Sequence, residues 1–504
     1  MQAIIGVDIG TTSTKVVLFD LKGTVLANQN NGYPLHQDQP SYAQENPEQI
    51  FAAVVTGIKK VMQIAKQKSW KVLGVSFSAA MHSLILIDGQ DKPLTQVITW
   101  ADNRSEKQSA ELRENGLAQA LYFKTGTPNH PMTPLTKIMW FREERPQLFA
   151  KTAKFIGIKD YIFFKLFGAY VIDEGLASAT GMFNIQTMAW DAQALAIAGI
   201  TTNQLPKLVS TETQFSGMSA TMAAQLNLDT DVPFIIGSSD GALANLGVGA
   251  TNSGQLAVSI GTSGAVRLVV DHPVFDPAGK LFCYVLGKDQ WLVGGPVNNG
   301  GIVLQWVQEQ WFTKDRQSSY VELIKLAAKS VPGAHGLIFL PYLGGERAPI
   351  WNADARGSFV GLTRQHTQAD MIRAVLEGIV LNLCEVTQMI ERVAGPIANV
   401  KATGGFSQSA FWVQILADCF NQTVTVSKKS AGSALGAAIM GLHSLEIVPK
   451  LALNELASTD QQKWQANPQN AECYQDLMKL WAQISEILEP EYHKIADFQS
   501  RYFK

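Results

Sequence analysis

The sequence predicts an α/β chain built as two related halves, and three observations point there. Residues 7–20, VDIGTTSTKVVLFD, recur as residues 258–271, VSIGTSGAVRLVVD: an apolar run, an Ile-Gly-Thr turn, a second apolar run and a closing Asp. Short apolar runs that suit buried strands alternate with segments whose apolar residues recur at helical spacing. The 504 residues also exceed the ~100–200 of an ordinary domain, and 46% hydrophobic with 17% charged residues is ample for two cores. The halves are drawn at 1–250 and 251–504.

Three strands open the chain, at 2–9, 14–20 and 24–30, with a turn at Lys22-Gly23. Between the first two, Asp8 and Gly10 stand where a buried strand turns. Gly10 lets the backbone approach a bulky anion, and Thr11, Thr12 and Ser13 offer hydroxyl and N–H donors. An Asp beside phosphates implies a divalent cation. This is not a Walker loop, because no GxxxxGK[ST] occurs; on its own the hairpin is equally an ordinary Gly/Thr/Ser turn. Its copy at 258–264 changes the reading, since two such loops can grip one polyphosphate.

Asn46-Pro47 suits a helix N-cap and first position, and Ile50, Phe51, Val54, Val55, Ile58, Val61 and Met62 follow at helical spacing. Strands at 72–78 and 83–88 flank a bend at Ala79-Ala80-Met81-His82. His82 therefore falls at a strand end, where binding residues of α/β sheets gather. ITWADNRS (98–105) sets Asp102, Asn103 and Arg104 after Trp100, a dense polar cluster that a helix start capped by Asp102 explains equally well. In TPNHPMTPLTKIMWFREE (127–144) three prolines lead into a helix carrying Lys137 and Trp140, and a structural ion pair is the expected role of Lys137. Residues 190–230 read as helical. VPFIIGSSDGALANLGVGA (232–250) then ends a strand at Asp240 and starts a helix of small residues, so Asp240 is either a cap or a functional carboxylate.

In the second half, GGPVNNGGIVLQWV (294–307) packs four glycines around a strand-to-helix turn. PYLGGERAPIWNADARGSFVGLT (341–363) is a long loop that either lies over a cleft or is plain surface. An amphipathic helix at 370–393 follows, then strand, Gly-Gly turn and helix in VKATGGFSQSAFW (400–412), a small-residue helix at 430–442, and helices over the last ~50 residues.

A formal charge of −2 exerts no long-range pull on nucleic acid or anionic membrane, so an anionic ligand must be held by local donors. MQAIIGVDIG lacks a basic n-region and a cleavage site, and no apolar run approaches the ~20 residues of a membrane span, so a cytoplasmic location is expected. Cys283, Cys384, Cys419 and Cys473 are too scattered for a metal motif and read as reduced packing residues.

Together these pieces resemble the FGGY carbohydrate kinases, of the actin, Hsp70 and hexokinase superfold, from the first strand to about residue 445. MTPLTKIMWFREE (132–144) and GSFVGLTRQHTQADMIRAVLE (357–377) are similar to the family's two signature patterns. The resemblance implies a duplicated actin/hexokinase-like (ribonuclease H-like) two-lobed α/β fold with mixed sheets flanked by helices, using ATP and Mg²⁺. It implies that Asp8, Thr11, Thr12 and Ser13 form a first phosphate loop, with Asp8 and Asp240 near the metal and Asp240 the catalytic base. Gly261 and Thr262 form the second loop; Gly301, Gln305, Gly404, Gly405 and Ser409 line the nucleotide. Met81, His82 and Met132 match acceptor-pocket positions, with Trp100, Asp102 and Arg104 as further hydroxyl partners and Arg104 or Lys137 as a cation for an acid.

Within the family, SFSAAMHSLILID, PLTQVITWADNRS, TGTPNHPM, GLASATGM and GGPVNNGGIVLQW look like the members that phosphorylate gluconate. Xylulose kinases share Met81-His82, whereas glycerol kinases usually carry Arg-Glu there. Transfer from ATP to the terminal hydroxyl of a sugar acid, chiefly D-gluconate, is expected. A ketose such as xylulose is the alternative acceptor, and a non-catalytic binding protein or a filament former are the alternative classes. Closure on binding and a homodimer are also expected from the family.

Overall fold

A computed structural model describes residues 1–39, 41–312, 320–427, 432–448 and 461–502. The chain forms two compact units. The first takes residues 1–252 and 269–292 with the described part of 429–459; the second takes 253–268, 293–428 and 460–504 likewise.

The first unit is built on a six-stranded mixed sheet in the order Gln214–Phe215, Phe234–Ser239, Lys71–Ala79, Gln2–Ile9, Ser13–Asp20 and Val25–Gly32. Phe234–Ser239, Lys71–Ala79 and Gln2–Ile9 run parallel, and the outer pairings are antiparallel. Parallel strands are covered on both faces, which is why these segments read as nearly continuous apolar runs: Ile4, Ile5, Val7, Val75, Phe77 and Ile235 are fully buried.

Asn46 caps the helix Pro47–Gln67, its side chain accepting from the N–H of Glu48 and Gln49 as the sequence predicts. That helix buries Ile50, Val54, Ile58 and Val61 and packs on Ser13–Asp20 and Val25–Gly32. Each such side chain contributes about 1.5–3 kcal/mol on leaving water. Late in sequence, the helix Gly432–Ser444 returns to pack on Gln2–Ile9, Lys71–Ala79 and the helix Asp240–Gly247. Its small residues allow backbone contact, since a Cβ at Gly436 would stand 1.8 Å from the Leu243 carbonyl oxygen. Ile4, Val17, Phe19, Leu243, Leu246, Leu435 and Ile439 make one core.

The strand expected at 83–88 forms as Ile85–Ile87, outside the main sheet, paired with Lys154–Ile156. One segment departs from the sequence reading. Residues 190–230 are not a long helical run: only Ala192–Ala198 and Ala220–Leu226 are α-helices, with strands Lys207–Val209 and Gln214–Phe215 between them. Gly199 and Asn227, both left-handed, close those helices after two turns, and Pro206 precedes the first strand.

In the second unit the strands Gln255–Ile260, Asn399–Thr403, Val424–Ser427 and Gln461–Trp464 follow one another in a mixed sheet, with residues 264–268 antiparallel beside the first. The helix Gln368–Ala394 opens with a capping box, Thr367 and Asp370 each satisfying the other's backbone N–H. It buries Ile372, Val375, Ile379, Leu383 and Val386 at helical spacing. Residues 430 and 431 of the expected small-residue helix, and 449–460 and 503–504 of the C-terminal stretch, lie outside the described residues. Pro468–Tyr502 is one long helix. Among the described residues no helix is long and apolar enough to cross a membrane.

Candidate active site

Asp8 lies at the C-terminal end of Gln2–Ile9, opposite Ser78 on the neighbouring parallel strand. Ser78 in turn pairs with Ser238, two residues before Asp240. Three parallel strands thus end along one edge; with strands ~4.8 Å apart, Asp8 and Ser238 stand about 10 Å apart, two strands over, and Asp240 follows two residues beyond Ser238. Ser78 Oγ donates to Asp8 Oδ1 at 3.0 Å. Burial nevertheless dominates and holds the Asp8 carboxyl above its ordinary value, against hydrogen bonds from Ser433 and Ser78 and the charge of Lys15. A carboxylate held that way gains from a nearby cation.

The hairpin after Asp8 is closed by the Gly10 N–H donating to the Ser13 carbonyl at 3.0 Å. Tyr33 braces it from below, its hydroxyl donating to the Gly10 carbonyl at 2.6 Å. Thr12 is exposed, whereas Thr11 and Ser13 are half-buried. Ser239 caps Asp240–Gly247, accepting from the Ala242 N–H at 3.3 Å. The cap explanation for Asp240 is thereby removed: it occupies the first helical position, half-buried, its Oδ1 accepting from the Gly241 N–H at 2.7 Å.

The residues expected around an acceptor form two groups. His82, in left-handed conformation at φ +65, is buried just past the strand end. Its Nδ1 donates to the Ala179 carbonyl at 2.7 Å, which fixes the Nδ1–H tautomer because a carbonyl only accepts. Trp100 Nε1 donates to Thr11 Oγ1 at 2.9 Å, tying this cluster to the hairpin. With Met81, these residues stand beside the first hairpin.

Asp102, Arg104 and Met132 lie deeper. Asp102 is fully buried and accepts from Arg104 Nε at 2.8 Å and Nη2 at 2.7 Å, and from the Ala43 N–H at 2.8 Å. The Arg104 guanidinium also lies 3.7 Å from the Tyr42 ring centroid. Asp102 is not a helix cap, since Glu106–Glu114 begins after Ser105. Met132, 2% exposed, precedes Thr133, the cap of Pro134–Glu144.

Lys137 differs from its expected role. No carboxylate pairs with it; its Nζ, fully buried, donates to the carbonyls of His82 at 2.9 Å and Thr99 at 2.7 Å. Burial pulls the amine down to about 7, with Asp102 opposing. A second buried lysine, Lys159 on the helix Ile158–Phe167, pairs with Asp173 at 2.7 Å and donates to the Ser238 carbonyl at 3.1 Å. Both lysines hold main chain beside the candidate site, Lys137 at the bends of His82 and Thr99 and Lys159 at the end of the strand before Asp240.

In the second unit the copied hairpin is closed by the Gly261 N–H donating to the Ser263 carbonyl at 2.8 Å. The loop is one residue tighter than the first, with Ile260 opposite Gly264 where Ile9 stands opposite Thr14. Ser259 occupies the place of Asp8, so only the first copy bears a carboxylate at the position before the turn. Helix Gly301–Trp311 starts on this hairpin, the Gly301 N–H donating to the Gly261 carbonyl at 2.7 Å. Gly404, at φ +104, backs against the same hairpin: a Cβ there would lie 2.2 Å from the Ile260 carbonyl oxygen.

A cleft of about 620 Å³ opens beside these turns. Gly261, Thr262, Gly301, Gln305, Gly405 and Ser409 line it, and Gly404 adjoins. Ser409 also caps Ala410–Phe420, accepting from the Trp412 N–H at 3.2 Å. Phe406, Trp412 and Ile324 give the cleft an apolar wall that the sequence reading missed. The loop 341–363 is anchored rather than loose: buried Glu346 accepts from Asn299 Nδ2 and Asn382 Nδ2, both at 3.0 Å.

Comparison with known proteins gives these features a context. Residues 3–247 match the N-terminal domain of the FGGY family of carbohydrate kinases, and residues 256–445 match its C-terminal domain. The chain belongs to the FGGY family of carbohydrate kinases. A gluconokinase of Bacillus licheniformis is 46% identical over 98% of this chain and 98% of its own. Two solved structures from Lactobacillus acidophilus resemble it: a ligand-bound xylulose kinase (TM-score 0.95, 39% identity, 98% of this chain and 100% of that one) and a gluconate kinase (TM-score 0.94, 40%, 98% and 99%). The duplicated actin/hexokinase-like α/β fold expected from the sequence is the one observed. As an FGGY kinase the protein is a phosphotransferase with an alcohol group as acceptor.

For this kinase the unpredicted residues share a signature. Lys137 and Lys159 are lysines in largely apolar helical runs, PLTKIMW and IKDYIFF respectively, where a solvated charge has no place. That conflict was the available signal.

Proposed function

We propose that this kinase transfers the γ-phosphoryl group of ATP to the terminal primary hydroxyl of D-gluconate, giving 6-phospho-D-gluconate. The observation that carries the reading is the 46% identity, end to end, to the Bacillus licheniformis gluconokinase.

The residues fit the groups this chemistry needs. The cleft of about 620 Å³ combines glycine turns that admit phosphates with aromatic walls suited to a base. Among the described residues no cluster of three or more His, Cys, Asp or Glu could cage a metal. Mg²⁺ needs no such cage, being held by one or two carboxylates plus substrate phosphates, a role for Asp8 with Asp240 opposite. When bound, Mg²⁺ supplies charge neutralisation at the phosphate oxygens.

The protein's own part is positioning. The hairpins at Thr11–Ser13 and Gly261–Thr262 donate N–H and hydroxyl groups to phosphate oxygens. Asp240 aligns the acceptor hydroxyl and accepts its proton as the new P–O bond forms. Met81, His82 and Trp100 meet the acceptor. Asp102, Arg104 and Met132 shape the wall behind them, because Asp102 already neutralises Arg104. In this scheme residues 1–250 serve the acceptor and the first phosphate loop, and 251–504 the nucleotide. The cytoplasmic homodimer expected from the family belongs to the same proposal, and sedimentation of the purified chain tests the dimer.

One observation favours a second acceptor: the likeness to the Lactobacillus acidophilus xylulose kinase, with Met81-His82 in the acceptor cluster. An ADP-release panel over gluconate, xylulose, ribulose and glycerol decides. Gluconate is expected to give the highest kcat/KM. A higher value for xylulose overturns the acceptor, and no acceptor-dependent ADP release overturns phosphoryl transfer by this chain.

A further inference from the structure

Glu45 belongs to a two-residue strand, Gln44–Glu45, paired with Val97–Ile98, so it lies alongside the strand that leads to Trp100. It is 3% exposed, and its Oε1 has no hydrogen-bond partner. The adjoining cavity, about 10 Å³, is also lined by Gly10, Thr11, Met81, Thr99 and Trp100. That is room for about one water. The cavity therefore adjoins the phosphate hairpin and the proposed acceptor residues at once, and Glu45 is its one acidic lining residue.

An unpartnered carboxyl is a poor structural element. Burying it without a hydrogen bond costs free energy, and a Gln or Met of similar size would fold at least as well. Charges kept against stability mark functional sites. We propose that Glu45 is an acceptor-binding residue: through a single water in this cavity its carboxyl takes a hydroxyl of the bound sugar acid.

Burial alone pushes the Glu45 carboxyl up to about 8. At neutral pH the group is thus mostly protonated and both donates and accepts. A neutral carboxyl also spares an anionic acceptor the repulsion of another carboxylate beside Asp8 and Asp240. The inference rests on the proposed gluconate kinase reading and adds a residue to it.

The test uses the full-length enzyme with Glu45→Gln and Glu45→Met, D-gluconate and ATP, following ADP release, with calorimetric titration of D-gluconate alone and thermal melting. In Glu45→Met the gluconate KM and Kd are expected to rise about tenfold, the loss of one good hydrogen bond, with the ATP KM within about twofold. Glu45→Gln, which still donates and accepts, should recover most of that loss, and neither variant should melt lower than the parent. Unchanged gluconate KM and Kd in a folded Glu45→Met overturns the inference. So does a lower melting temperature in both variants with ATP and gluconate affinities falling together, the mark of a structural role. If the parent enzyme neither binds nor phosphorylates gluconate, the functional reading fails instead.

Discussion

A lysine shut off from water must place its N–H groups on protein acceptors, and the acceptors Lys137 has are two main-chain carbonyls, those of His82 and Thr99. These belong to the two bends that carry the proposed acceptor residues, so one side chain holds both bends in register. Lys137→Met keeps the volume and removes the tie. We expect the acceptor KM to rise about tenfold, the weight of a good hydrogen bond, with the ATP KM unchanged. Initial-rate kinetics on both substrates check it, and equal changes in both would assign Lys137 to general packing. Asp240→Asn keeps shape but cannot take a proton; kcat should fall by about 10²–10⁴, the usual worth of a general base. Near-normal turnover in single-turnover assays would remove Asp240 from that role.

For Glu45 the sign of the pH effect follows from its raised pKa. Between the unfolded value near 4.5 and the folded value of about 8, the folded protein binds more protons, so this group costs stability increasingly as pH rises through that window. The titratable neighbour, the Tyr33 phenol, is itself pushed up by burial and stays neutral there. The melting temperature of Glu45→Gln relative to the parent should therefore grow from pH 5 to pH 8.5, and a constant difference would contradict the burial. Lys137 was legible only as an ion-pair partner or a cation for the acid, not as a tie between two main-chain bends, and Glu45 was not legible at all. Their chemistry depends on what surrounds them after folding, whereas Asp8 and Asp240 announced themselves by standing at turns between apolar runs.

Among elements, the two hairpins show how much a repeat in sequence conveys. Both were visible as strand, Gly-Thr turn and strand, and both form. What the letters could not show is the one-residue difference in pairing, because register depends on which carbonyl each glycine N–H finds. The second hairpin is further braced by a neighbour, Gly404, which the sequence marks as a turn glycine and the family resemblance as a nucleotide-lining position, neither of which tells that it backs onto Ile260. Gly404→Ala forces a side chain into φ +104 and against the Ile260 carbonyl. Such strain costs on the order of 1–3 kcal/mol, and relief requires the hairpin to shift. We expect a lower melting temperature and a weaker ATP KM with the acceptor KM nearly unchanged. An unaltered ATP KM would separate Gly404 from the nucleotide. The segment 190–230 was misread for a related reason. Its Ala, Leu and Gln content favours helix, but Gly199, Pro206 and Asn227 divide it before tertiary pairing recruits the remainder as strand.

At the scale of the whole chain, order in sequence and order in space part company. The halves at 1–250 and 251–504 capture the repeat, yet the first unit also takes in residues 269–292 and the helix Gly432–Ser444. No local pattern signals that return; it follows from Leu435 and Ile439 sharing a core with Ile4 and Leu243. A fragment of residues 1–250 therefore leaves that core uncovered. We expect it to aggregate or to bind hydrophobic dyes when expressed alone, and a fragment that melts cooperatively would show that the late helix is dispensable.

The same helix has a consequence for biosynthesis. A ribosome that has finished residue 252 must add roughly 190 more before Ser444 appears, about 10–40 s at ~5–20 residues per second. Throughout that interval the nascent amino-terminal core waits with an apolar face open to solvent. The enzyme's first half is thus a long-lived client for whatever chaperone meets the emerging chain, and slowing translation beyond Asn252 should lower the yield of active protein more than slowing it before.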